Sequence, residues 1–141
     1  MAKNGFSMSN RVAVESVSAA KTLTADDCGK LIVATATGSA AYQITLPTVA
    51  SAEAGWNCEV VVVSGAVAKD LTVSQGSDGT DIHLIGINAV SGALVDEVSF
   101  ADVASVTFPS ESLSNGDRIK VRTDGSRWYA ESFSNAAVET A

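Results

Sequence analysis

Apolar residues along this chain recur mostly in short runs with a period of two, separated by glycine, proline, asparagine and aspartate. The densest run is Trp56–Ser64, WNCEVVVVS, where Cys58, Val60 and Val62 fall on one face of an extended chain and Val61 and Val63 on the other. β-Branched residues are stiff at χ1 and pack well on a pleated surface, so the run predicts a strand. Apolar side chains on both faces predict a central strand with something packed over each side. Four consecutive valines between Gly55 and Gly65 argue against a buried helix.

The other segments follow the same rule. Val12 and Val14 alternate with Ala13 and Glu15, a further strand covers Lys30 to Thr35, and Tyr42, Ile44 and Leu46 alternate with Gln43 and Thr45. Pro47 ends that strand because it has no N–H for a ladder. Leu71 and Val73 face inward against Asp70 and Thr72, and Ile82–Ile85, Val95–Phe100 and Ser105–Phe108 are further short runs. Between strands, Thr24 stands three residues before Asp27, a capping arrangement for one helical turn that Gly29 can end. Thr48–Gly55 is an alanine-rich connection with room for another single turn.

The C-terminal hairpin is the clearest unit. After the turn Asn115-Gly-Asp117, the segment Arg118–Thr123 sets Ile119 and Val121 inward and Arg118, Lys120 and Arg122 outward. Asp124-Gly125-Ser126 reverses the chain, Asp-Gly being a strong hairpin signal, and Arg127–Ser132 returns. About ten short strands and no long helix predict an all-β fold, and within that class an antiparallel β-sandwich with jelly-roll winding. The expected organisation is an N-terminal arm at 1–10, a single β-sandwich domain at 11–134 and a C-terminal tail at 135–141.

Composition narrows the partners. With 141 residues, 46 % of them hydrophobic, the chain suits one domain with a real core. Only 18 % of residues are charged, so the surface must be largely Ser, Thr, Ala, Gly and Asn. Such a surface either faces solvent or packs against neighbours without stranding charges. A formal charge of −7 argues against nucleic acid or an anionic membrane as partner. Met1–Asn10 lacks the apolar run of a signal peptide, and no stretch approaches the ~20 apolar residues of a membrane helix. Cys28 and Cys58 are too few for a disulfide scaffold and are expected to be small buried residues, with a bridge between them left open.

Candidate chemistry is sparse. Asp26 and Asp27 sit side by side where carboxylates of a capped turn serve the backbone rather than an acid–base pair. The loop Gln75–Asp81 is acidic and glycine-rich but lacks the spacing of a calcium loop. His83, the only histidine, lies in an apolar run with no Cys or Asp at ligand spacing, which predicts a structural role. The echoes Val63-Ser-Gly-Ala66 and Val90-Ser-Gly-Ala93 look like strand exits and are not nucleophile elbows. No zinc, dithiol, P-loop or dinucleotide motif is present. Paired carboxylates from distant strands would leave no motif, yet a non-enzymatic chain is the expectation, with no catalytic, cofactor or metal residues. Two contact features stand out. Phe6 and Met8 could lie on a neighbouring subunit, and Arg118, Lys120 and Arg122 form either a docking stripe for an acidic surface or an exposed sheet face paired with groups such as Glu131.

The order Lys21-Thr-Leu-Thr-Ala-Asp-Asp-Cys-Gly-Lys30, then a strand ending Leu46-Pro47, then Ala54-Gly55-Trp56 and the valine run, and finally Gly116-Asp117-Arg118 with Thr123-Asp-Gly-Ser-Arg-Trp128-Tyr129, resembles tailed-phage capsid decoration (cement) proteins and related β-domains of phage fibres. The resemblance covers about residues 20–132. It implies a non-enzymatic structural protein of the virion, a homotrimer on the outer capsid surface that clamps neighbouring copies of the major capsid protein. Synthesis would be in the host cytoplasm, with no cofactor, nucleic acid, membrane or small-molecule substrate. The alternative within the resemblance is a receptor- or carbohydrate-binding domain of a tail or head fibre. Sugar sites present exposed aromatics, for which Trp56, Trp128, Tyr129 and Tyr42 are the candidates, although Trp128 beside its hairpin turn is expected to close the core.

Overall fold

The computed structural model describes residues 12–36, 40–64, 69–90, 93–110, 113–135 and 138–141. Alternation decides which side chains reach the interior. Strands β1 (Val14–Val17), β2 (Lys21–Thr22), β3 (Leu31–Ala36) and β4 (Tyr42–Thr45) are followed by one helical turn, α1 (Val49–Ala52). Next come β5 (Asn57–Ser64), β6 (Leu71–Ser74), β7 (Ile82–Val90) and β8 (Ala93–Val103). β9 (Ser105–Phe108), β10 (Arg118–Thr123), β11 (Trp128–Ser134) and β12 (Glu139–Thr140) complete the chain. Sheet A has seven strands in the order β1-β3-β5-β10-β11-β7-β8, and sheet B five in the order β12-β9-β6-β4-β2. Ile32, Val60, Ile119 and Leu84 from sheet A and Ile44, Leu71, Val73 and Val106 from sheet B are wholly buried in one continuous cluster between the two.

The chain is thus mostly β with no long helix among the described residues, as expected, but its sheets are mixed. Five of the ten strand pairings among the described residues are parallel: β1 with β3, β3 with β5, β2 with β4, β4 with β6, and β11 with β7. This corrects the antiparallel jelly-roll expectation. The physical reason is the path. From β1 to β7 each strand is followed by one in the opposite sheet, so the chain returns to a given sheet after a full coil and runs in its earlier direction. A parallel pair needs a crossover, and here the crossover is the intervening strand of the other sheet. Only after β7 do hairpin-like returns bring in antiparallel neighbours, with β10 pairing between β5 and β11.

Local chemistry accounts for the turns. Asp27 closes the turn at 25–27 by accepting the Thr24 N–H at 2.8 Å, and Gly29, at φ +75°, aims its own N–H at the Asn57 carbonyl at 2.6 Å. The turn is thereby tied to the start of β5. Thr48 caps α1 by accepting the Ser51 N–H at 3.2 Å, and Asp78, in the acidic loop, accepts the Val49 N–H at 2.8 Å. Asp117, buried, accepts from Ser114 N–H and Asn135 N–H, both at 2.9 Å, and so joins the turn before β10 to the end of β11. Tyr42 bridges the sheets, donating within 3.2 Å of both the Val17 and Thr35 carbonyls. The stretch 135–141, read as a tail, supplies β12, which pairs with β9. The arm at 1–10 with Phe6 and Met8 lies outside the described residues, as do Gly65-Ala66 and Ser91-Gly92 of the two echoes.

Candidate interaction face

The outward side of sheet A carries the basic stripe singled out by sequence. Register sets one row across it as Val14, Leu31, Glu59, Lys120, Glu131 and Ile85. The next row runs Ser16, Val33, Val61, Arg118 and Phe133, with Thr35 and Val63 beyond. Arg118, Lys120 and Arg122 do point outward from β10, and they do not stand alone. Glu59 lies 3.8 Å from Arg118 and 3.9 Å from Lys120, Glu131 lies 3.1 Å from Arg122, and the Arg118 guanidinium sits 4.8 Å above the Phe133 ring. The basic row is flanked by carboxylates on both sides, which sequence could foresee for Glu131 through the hairpin but not for Glu59, because the β5–β10 pairing is long-range.

The apolar half of this face contradicts one expectation. Cys58, Val60 and Val62 of β5 are buried in the core, but Val63 on its other side is 40 % exposed and Val61 only half-buried. Leu31 and Val33 beside them are half-buried, and Val14 on the edge strand is 62 % exposed. The described chain therefore covers the valine strand on one face only. Two shallow concavities lie elsewhere on this side of sheet A. One of about 600 Å³ is lined by Val12, Leu31, Glu59, Lys120 and Arg122 among others. The second, of about 370 Å³, is lined by His83, Ile85, Asp102, Arg122, Tyr129 and Glu131 among others.

His83 is not isolated in space. The β7–β8 register sets it opposite Asp102, whose carboxylate meets its Nδ1, while Arg127 Nη1 lies 3.4 Å from Nε2. Its ring rests 5.6 Å from that of Tyr129, whose hydroxyl donates to Asp124 at 3.0 Å. Backbone N–H bonds from Ser126 and Arg127, then the Tyr129 hydroxyl, hold the Asp124 carboxyl below the usual range. Sequence missed the His83–Asp102 pair because the partners are brought together only by strand pairing. Among the described residues no Ser, Thr or Cys side chain bonds to His83, and no group of three or more metal-ligating side chains forms.

A second cluster of charge lies at the β1–β3 edge. Lys30 Nζ is 2.7 Å from Asp27 and 3.0 Å from Glu15, and Lys21 meets Glu15 and stands 3.5 Å from Asp27. Burial alone would raise the Asp27 pKa, but the bonds from Lys30 and the Thr24 N–H outweigh it and hold the carboxyl low. The same bond to Asp27, followed by that to Glu15, lifts Lys30 from 10.5 to about 12. A lowered Asp27 contributes stability above the ordinary carboxylate range and loses it as pH falls through its folded value. A raised Lys30 contributes below 10.5 and loses it as pH rises towards 12. Asp27→Asn should therefore cost about 2 kcal/mol at neutral pH. It should also flatten the acid limb of stability against pH, measured by urea unfolding; a variant whose acid limb matched the parent would refute the assignment.

The remaining candidates resolve into core and surface. Trp56, Trp128 and Tyr42 are buried, leaving Tyr129 as the half-exposed aromatic among the four. Trp128 does close the core. Cys58 is buried, and burial pushes its thiol up to about 12, whereas Cys28 is exposed, against expectation, and both are free. No helix among the described residues is long and apolar enough to cross a membrane. Comparison with protein-family models, with curated proteins and with solved structures gives no match to this chain.

Proposed function

We propose that this protein is a structural, non-enzymatic component of a phage virion, decorating the outer capsid surface as a homotrimer and clamping neighbouring major capsid protein subunits. The observation that carries the reading is the outer face of sheet A, which joins exposed valines to a basic row already flanked by Glu59 and Glu131. A face of that kind buries well against a neighbour because few charges are stranded on contact. That neighbour is another copy within the trimer, and the ordered resemblance over about residues 20–132 points to the major capsid protein as the surface on which the trimer sits. A small docked domain gains hold through multivalency, each further contact of a trimer forming at high effective concentration.

The second reading, a carbohydrate-binding domain of a phage fibre, draws support from the concavity of about 370 Å³ where Tyr129 and His83 lie beside Arg122, Asp102 and Glu131. Burial of Trp56, Trp128 and Tyr42 weighs against it. One experiment separates the two. Mixed with shells that lack it, the purified protein should saturate at a fixed ratio and raise their melting temperature, since a ligand of the assembled state stabilises that state. A protein that ignored shells and bound on a glycan array would reverse the order of the readings.

A further inference from the structure

We propose that the outer face of sheet A, at β1, β3 and β5, is the surface through which this chain meets further copies of itself. Three observations converge there. First, the valine strand is apolar on both sides, and the described chain buries one fully while leaving Val63 at 40 % exposure on the other, with Val14 of the edge strand β1 at 62 %. Second, half-buried residues link the two exposed valines, because register places Val14 beside Leu31, Val33 beside Val61, and Thr35 beside Val63. Scattered apolar side chains are ordinary on a protein surface, but a patch spanning three adjacent strands is the kind that marks an interface.

Third, charge selects the occupant. The chain carries 9 basic and 16 acidic residues, so copies repel one another over most of their surface. The margin of the patch differs. Along β5, β10 and β11, the cations Arg118, Lys120 and Arg122 interleave with the carboxylates Glu59 and Glu131. A partner of uniform sign would leave half of these groups facing like charge, whereas the same alternating margin on another copy can set carboxylate against cation. Self-complementarity is what symmetric assembly requires of a contacting patch. The inference deepens the homotrimer part of the decoration reading, and a chain that self-associates through this face yet ignores shells would keep it while the capsid part fell.

The test is mass by light scattering across a wide concentration range, with the parent chain and with Val14→Asp and Val63→Asp. Both substitutions fall on exposed positions and leave the core untouched. The parent should be a dimer or larger, and each variant should weaken association by at least about tenfold with an unchanged circular dichroism spectrum. Glu59→Lys should weaken it too, and the Glu59→Lys, Lys120→Glu double variant should recover part of the loss. A parent that stays monomeric at the highest concentrations it tolerates would overturn the proposal. So would variants that keep the parent's mass. Should neither aspartate variant fold, the parent decides by itself through NMR shifts that move with concentration. Movement centred on β3 and β5 supports the interface, and movement confined to sheet B overturns it.

Discussion

Trp56→Ala should lower the stability of the fold by about 3–5 kcal/mol, seen as a reduced urea midpoint with little change in slope. Trp56 is almost wholly buried and packs edge to face on Trp128, with ring centroids 5.3 Å apart and planes at 81°. The residue also joins three segments. Its indole N–H donates to the Thr24 carbonyl at 3.1 Å, and its own carbonyl accepts the Thr123 N–H at 3.0 Å. Alanine would keep the backbone bond, and the Thr24 carbonyl would still accept the Asp27 N–H at 3.1 Å, but a cavity would open beside Trp128 and the indole bond would be lost. A finer comparison isolates the polar part. Trp128 is equally buried, yet its indole N–H has no partner among the described residues. Trp56→Phe should therefore cost more than Trp128→Phe, since only the first breaks a buried bond. An equal or inverted ranking would show that packing alone sets the cost.

Gly76→Ala is expected to cost about 3 kcal/mol and to lower the melting temperature by about 10 °C, on the order of a severe overpacking change. A Cβ at this position would lie 2.5 Å from the Pro47 carbonyl oxygen, 2.8 Å from its carbon and 3.0 Å from the Leu46 oxygen. All three are backbone atoms, so no side chain can rotate away. Nor can the two segments part easily. Leu46 N–H donates to Ser74 at 2.9 Å, Val49 N–H to Asp78 at 2.8 Å, and Gly79 N–H to Gly76 itself at 3.1 Å. The clash falls where α1 is fastened to the acidic loop. A melting temperature within a degree or two of the parent would mean that the loop yields far more readily than its hydrogen bonds imply.

The sequence spoke clearly wherever a single local rule decided the outcome. Tyr42, Ile44 and Leu46 are buried as their alternation requires, Asp27 closes the single turn that Thr24 opens, and the Asp124-Gly125 hairpin sets Ile119 and Val121 inward. Period-two alternation says which way a side chain points, but it carries no information about which strand lies alongside or in which direction it runs. The parallel returns of β3 and β5 were invisible for that reason. The same limit hid Glu59 beside Lys120 and Asp102 beside His83, since each pair spans two strands that sequence reading could not bring together. The uncovered side of β5 is a different case. Four valines announced correctly that both faces are apolar, and the step from apolar to covered assumed that the chain would supply the cover itself.

The alternation of the path between the two sheets has a consequence for how the molecule opens. β1 is the outermost strand of sheet A and β2 the outermost of sheet B, so residues 14–22 form an edge in both layers at once. Among the described residues no other strand is paired through them. This first coil can lift away as a cooperative unit while β3, β5 and the buried tryptophans stay in place, held back by its β1–β3 and β2–β4 ladders, the buried Val17, the Glu15 ion pairs and the Tyr42 bond to Val17. Its amides belong at the low end of the opening free energies and those of β5 and β10 near the global value. The fold thus has a hinged margin and a fixed centre.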